Sequence, residues 1–175
     1  MAILPTEAAV YTTIDQFRRD FRETTEGTLK VLRALTDESL SQAVVPGGRT
    51  LGRIAWHLVG TLTEMPAHAG LPVDPSVAEA PVPTRADEVV STYQRAVVAC
   101  EQAVVHAWSD ADLLGEIGMY GETWSRARVL AVLMAHEVHH RGQMTVIMRQ
   151  AGLRVPGVMG PAEEEWAAMG MPVQP

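Results

Sequence analysis

Apolar and small side chains recur at three- and four-residue intervals through four long segments of the chain, the spacing at which side chains share one face of an α-helix. The first segment predicts a helix from Val10 to Leu35 with a stripe of Ile14, Phe17, Phe21, Thr24, Thr28, Val31 and Leu35. The second runs from Thr50 to His68 and turns Leu51, Ala55, Leu58, Leu62 and Met65 inward. The third runs from Thr84 to Trp108 with Ala86, Val89, Tyr93, Ala96, Cys100, Val104 and Ala107 on its stripe, and Thr84 with Asp87 resembles a capping box in an acidic form. The fourth runs from Ser125 to Ala151, where Gly152 suits a left-handed cap and Pro156 follows.

Pro46, Gly47 and Gly48 punctuate the first connection, and Pro72, Pro75, Pro81 and Pro83 favour extended backbone over a long surface connection before the third helix. The stretch GEIGMYGETWS has no clean period and reads as a loop or a short hairpin, while the tail from 156 to 175 carries one short helix from Ala162 to Met169. Four amphipathic helices without a convincing strand predict an all-α four-helix bundle, one domain over residues 1–175. Two long connections admit a topology other than simple up-and-down.

Composition narrows the function classes. With 175 residues, 47% apolar and 20% charged, the chain has the balance of an ordinary globular protein. Its net charge is −7 and no lysine and arginine cluster faces a run of phosphates, so nucleic acid is not expected as a partner. No apolar run nears the ~20 residues that span a bilayer, and the amino end lacks a basic region followed by an apolar segment, so neither a membrane nor export is expected. Cys100 has no disulfide partner, which suits a cytoplasmic setting, and its place on the third stripe predicts a small buried hydrophobe. Met134, Met144 and Met148 are expected to pack the bundle.

The candidate chemistry lies in the fourth helix, where HEVHHRGQ puts three histidines into five positions. With His136 at zero on a helical wheel, Val129, Val132, Leu133, His140, Gln143 and Ile147 fall within roughly 60° of it. His136 and His140 stand one turn apart and about 40° offset, an arrangement by which two imidazoles can grip one ion. His139 falls at the edge of the stripe. An HxxxH pair is common by chance, and a third ligand is needed.

His57 lies at the border of the second helix's core face, beside Thr50, Arg53, Ile54, Thr61 and Glu64. Facing the fourth helix at a matching depth, it would complete a three-nitrogen set. Glu64, about two turns on, is a candidate catalytic base or hydrogen-bond acceptor, and Arg53 a candidate for binding an anionic substrate group. Glu137 is about 100° from His136 and points away from the ion. His68 and His106 stand near helix ends, where solvation or terminal carbonyls account for them.

Taken together, WHLVGTL around His57, HEVHHRGQ and the following RQAGLRVPG resemble the DinB-like, YfiT-type family over nearly the whole chain, and the tail GPAEEEWAAMGMP is similar to a subset of it. The resemblance implies a four-helix bundle, often dimeric, with a divalent ion held by one histidine from the second helix and two from the fourth. Residue by residue, those roles fall on His57, His136 and His140, and none on His139.

Three neutral imidazoles suit zinc first and nickel second, and three protein ligands leave a coordination place for water or a thiolate. The expected function is a metal-dependent enzyme acting on a small-molecule substrate, a thiol transferase with a low-molecular-weight thiol as cosubstrate or a hydrolase. The alternative is a non-enzymatic metal-binding bundle with a structural or stress-response role. DNA binding, which the family name suggests, fits the charge badly. A homodimer is expected, with Leu130 and Met134 on the outer side of the fourth helix as partner-facing residues.

Overall fold

Side-chain caps fix where three of the four long helices begin, and in the computed structural model, which describes residues 10–172, the helices fall close to the predicted segments. Helix α1 spans Ile14–Arg33; Thr13 Oγ1 accepts from the Gln16 N–H while Gln16 Oε1 accepts from the Thr13 N–H, a reciprocal capping box. Helix α2, Leu51–His68, is capped by Thr50, and helix α4, Arg126–Gln150, by Ser125. Helix α3 spans Ala86–Ala107 and departs from expectation at its start. Thr84 and Asp87 form no capping box there: Asp87 is drawn into a bidentate pair with Arg85, and the Ala86 N–H instead donates to Asp37 Oδ1 at 2.7 Å. A carboxylate from the α1–α2 connection thus does the capping, which no local pattern could reveal.

The GEIGMYGETWS segment forms an antiparallel hairpin of β1, Glu116–Met119, and β2, Glu122–Ser125. Its two-residue loop puts Tyr120 at φ 52° and Gly121 at φ 83°, both left-handed as a type I′ turn requires. In the tail, Glu163–Trp166 forms the short helix α5, continued by a 3-10 turn to Met169. Residues 1–9 and 173–175 lie outside the described residues, and with them the ends of the predicted domain.

Contacts at the helix ends set the topology. The α1 start and the α4 start meet the same turn after α3: the Ile14 N–H donates to Asp110 Oδ1 at 2.7 Å and Arg126 Nη1 donates to the Asp112 carbonyl at 3.2 Å. The far end of α1 lies by the α3 start through Asp37, and the end of α2 reaches the hairpin before α4 through Glu64 and Tyr120. Helices α1 and α4 therefore run one way and α2 and α3 the other, up-down-down-up. Parallel α2 and α3 demand the long crossover over 69–85. That strap is seated on α2: Trp56 Nε1 donates to the Ala80 carbonyl at 3.0 Å, and a Cβ on Gly60 would stand 3.1 Å from Ala78.

The predicted stripes of α1, α2 and α3 are buried, except that Thr24 is only half-buried and Ala107 is exposed. Cys100 is fully buried, and Met134, Met144 and Met148 pack the core. Helix α4 corrects one expectation. Leu130 and Met134 do not face outward; they are buried within the chain, because α4 packs against α1 as well as α2 and needs apolar side chains toward both. They present no surface to a second copy.

Candidate metal centre

Antiparallel packing of α2 and α4 brings together the three histidines singled out from the sequence. His57 Nε2 stands 3.2 Å from His136 Nε2, and His140 Nε2 stands 3.1 Å from the same atom. The three rings meet edge to face, with centroids 4.4 to 4.9 Å apart. Among the described residues, these three are the only set of three or more histidine, cysteine, aspartate or glutamate side chains with ligand atoms so convergent, all within 4.8 Å of one another. His57 and His136 are half-buried, and His140 is buried.

Burial first, and then the neighbouring positive groups, hold the imidazoles neutral. The His57 value is lowered to about 4 by desolvation, with His140, Arg49 and Arg53 adding to it. That of His136 is also lowered to about 4, by desolvation and then by His140, His57 and His139. Desolvation lowers His140 too, while its bond to Gln143 pulls the other way. Near neutral pH the cluster is therefore three uncharged rings.

Hydrogen bonding aims one lone pair. His140 Nδ1 donates to Gln143 Oε1 at 2.7 Å, which leaves His140 Nε2 unprotonated and directed into the cluster. Gln143 Nε2 in turn donates to His139 Nε2 at 3.1 Å, so His139 supports the glutamine and stands outside the nitrogen set. Protons can bridge some of these close N···N approaches, but one cation satisfies all three nitrogens together. This donor set fits a divalent transition ion. No fourth ligand from the described residues completes it.

The other candidate residues stand outside the nitrogen set. Glu64 sits about 10 Å along α2 from His57, where its carboxylate accepts from the Tyr120 hydroxyl at 2.8 Å and pairs with His68 at 3.4 Å. His68 also stacks on the Tyr120 ring, so it clasps the hairpin. Arg53 is exposed, and its charge reaches His57. His106 bonds the Gln102 carbonyl at 2.7 Å near its helix end, as its position predicts.

Two features escaped the sequence reading. Arg49, in the connection before α2, acts electrostatically on both His57 and His140 and borders a cavity of about 530 Å3 beside the cluster. Glu137 does point away from the histidines, but into the core, where it is 1% exposed and accepts from the Tyr93 hydroxyl. Burial pushes its carboxyl up to about 7 against the opposing pull of Tyr93, Thr28 and Arg141. The available signal was the row Leu130, Met134, Glu137, Arg141, Met144 and Met148, in which two charged residues share an apolar face.

Comparison with known proteins agrees with this architecture. The chain is 41% identical over 162 residues to the uncharacterized protein YrdA of Bacillus subtilis (strain 168), covering 93% of this chain and 97% of that one. A DinB-like protein from Bacillus cereus ATCC 10987 has a crystal structure that superposes with a TM-score of 0.81 at 42% identity, over 85% of this chain and 99% of that one. YfiT from Bacillus subtilis, described as a probable metal-dependent hydrolase with an unusual four-helix bundle topology, shares the fold at 15% identity with a TM-score of 0.64, over 86% and 94% of the two chains. The sequence model of the DinB family matches residues 10–174, and the chain belongs to the DinB family.

Proposed function

We propose that this protein is a metal-dependent enzyme that holds a divalent transition ion with His57, His136 and His140 and acts on a small molecule. The observation that carries the reading is the convergence of three neutral imidazole nitrogens from two helices with no fourth protein ligand beside them among the described residues. A closed structural site fills its tetrahedron with protein, and a three-ligand site keeps a place for chemistry. A bound ion there supplies Lewis acidity that ionises a water or a thiol near neutral pH.

The chain's own residues do the rest. Gln143 fixes the tautomer of His140, and Arg49 and Arg53 put positive charge near the cluster to attract an anionic group. Zinc suits the nitrogen set first and nickel second. Both hydrolysis and transfer of a low-molecular-weight thiol to an electrophile use such a site; the probable hydrolase activity ascribed to YfiT favours water as the nucleophile.

The fold does not depend on a metal staple, because a continuous apolar core already joins α2 to α4. The test is elemental analysis of protein purified without an affinity tag, followed by ester and thiol-transfer assays of the reconstituted protein. About one equivalent of a transition ion is expected, with ion and turnover both lost in His57→Ala while the far-ultraviolet spectrum is unchanged. An ion that contributes melting temperature alone, with no turnover on either class of substrate, would favour the staple.

A further inference from the structure

The cavity beside the histidines combines an apolar wall with one cation. Val44, Val45, Ile54, Val146 and Ile147 line it, and Arg49 is the charged side chain of the lining. Two of its residues tie it to the candidate metal centre: Ile54 lies one turn before His57 on α2, and Gln143 is the residue that holds His140. At about 530 Å3 it has the size of a small-molecule site.

Arg49 makes no ion pair or hydrogen bond with the described residues, although the chain carries a net charge of −7. A guanidinium with no partner among the described residues, beside a cation-binding cluster, is repelled by the ion that the cluster would hold. An anion seated between them relieves that repulsion, and a planar carboxylate matches the guanidinium fork. The valines and isoleucines beyond it offer no hydrogen bond and suit a hydrocarbon body.

We propose that this cavity is the substrate subsite and takes a small carboxylate with a short aliphatic chain, its carboxylate on Arg49 and its hydrocarbon against Val44, Val45 and Val146. The assignment rests on the metal-enzyme reading for what becomes of the ligand, and on the cavity alone for its binding. Arg49 is the specificity-determining residue and holds the anionic group, for which the sequence alone offers Arg53 as the candidate.

The test is titration of the metal-loaded full chain with hexanoate and with hexanamide, by calorimetry, repeated after chelation of the metal. Hexanoate should bind at least tenfold more tightly than hexanamide. Arg49→Gln should remove that preference, and Val146→Trp should weaken both ligands by filling the space, while elemental analysis shows the same metal content in both variants. Equal binding of acid and amide, or hexanoate binding that survives Arg49→Gln and vanishes on chelation, would overturn the proposal. So would a change in sedimenting mass in these variants without any hexanoate binding, which would make the face an interface between two copies. A chain that takes up no metal yet still selects hexanoate through Arg49 would uphold the subsite and sink the metal-enzyme reading.

Discussion

The Nδ1 of His140 stands 2.7 Å from Oε1 of Gln143, three residues on along the same helix, so the glutamine decides which nitrogen of the imidazole is free. An outer hydrogen bond of this kind orients a ligand and raises its basicity.

Replacing Gln143 by leucine should therefore leave the bundle folded and lower metal affinity by roughly 10- to 100-fold. Competition with a chelator of known affinity measures the loss. Long-range nitrogen–proton NMR of the metal-free protein should show the Nδ1–H tautomer of His140 in the wild type and a mixture in Gln143→Leu. Unchanged affinity in the variant would remove Gln143 from the site.

Removing the metal should lower stability without unfolding the protein, because the apolar core is continuous among the described residues of all four helices. At a free ion concentration about 100-fold above the dissociation constant, binding adds roughly 2.7 kcal/mol, or some 5–10 °C of melting temperature for a chain of this size. That increment should be absent in His57→Ala and in His136→Ala. Calorimetric melts with and without chelator check it.

The pH dependence of the metal-free protein should contain two opposed parts. His57 and His136 titrate near 4 when folded against an ordinary 6.5, so the folded state binds fewer protons and their stability contribution is lost as pH falls from 6.5 toward 4. Glu137 titrates near 7 when folded against an ordinary 4.5, so the folded state binds more protons and stability falls as pH rises from 4.5 to 7. Glu137→Gln removes only the second part. Between pH 4.5 and pH 8, the stability of the variant relative to wild type should rise by on the order of 2 to 3 kcal/mol, as read from urea melts. Parallel curves for the two proteins would contradict the shift at Glu137.

The hairpin clasp is a structural device and should be separable from the metal. Tyr120 holds a left-handed backbone at φ 52°, an uncommon conformation for an aromatic residue, and its ring and hydroxyl are engaged by His68 and Glu64. Tyr120→Phe keeps the stack and loses the bond to Glu64, which should cost about 0.5–1 kcal/mol. Metal content should not change in Tyr120→Phe or in Glu64→Gln. Loss of metal from either variant would return Glu64 to the centre.

Much of this arrangement is legible in the sequence, because helix period and cap chemistry are local. The stripes around Phe17, Leu58 and Tyr93 point inward as their spacing demands, and His57, His136 and His140 were recognisable from spacing together with family resemblance. What stayed hidden was relational. Asp37 caps a helix that begins 49 residues later, and Arg49 belongs to a connection whose path no periodicity encodes. Helix α4 misled because its apolar positions serve two neighbours: a wheel centred on the histidines put Leu130 and Met134 outside, whereas the row through them and Glu137 enters the core.

The candidate ligands on α2 and α4 are 79 residues apart in His57 and His136. During synthesis, a ribosome releases the first long before the second exists, so the growing chain offers an incoming ion only one of the three convergent imidazoles. The full three-nitrogen site would exist only once the last long helix has emerged and docked. The apolar core supplies the scaffold, and an ion would meet all three rings together only on the docked bundle.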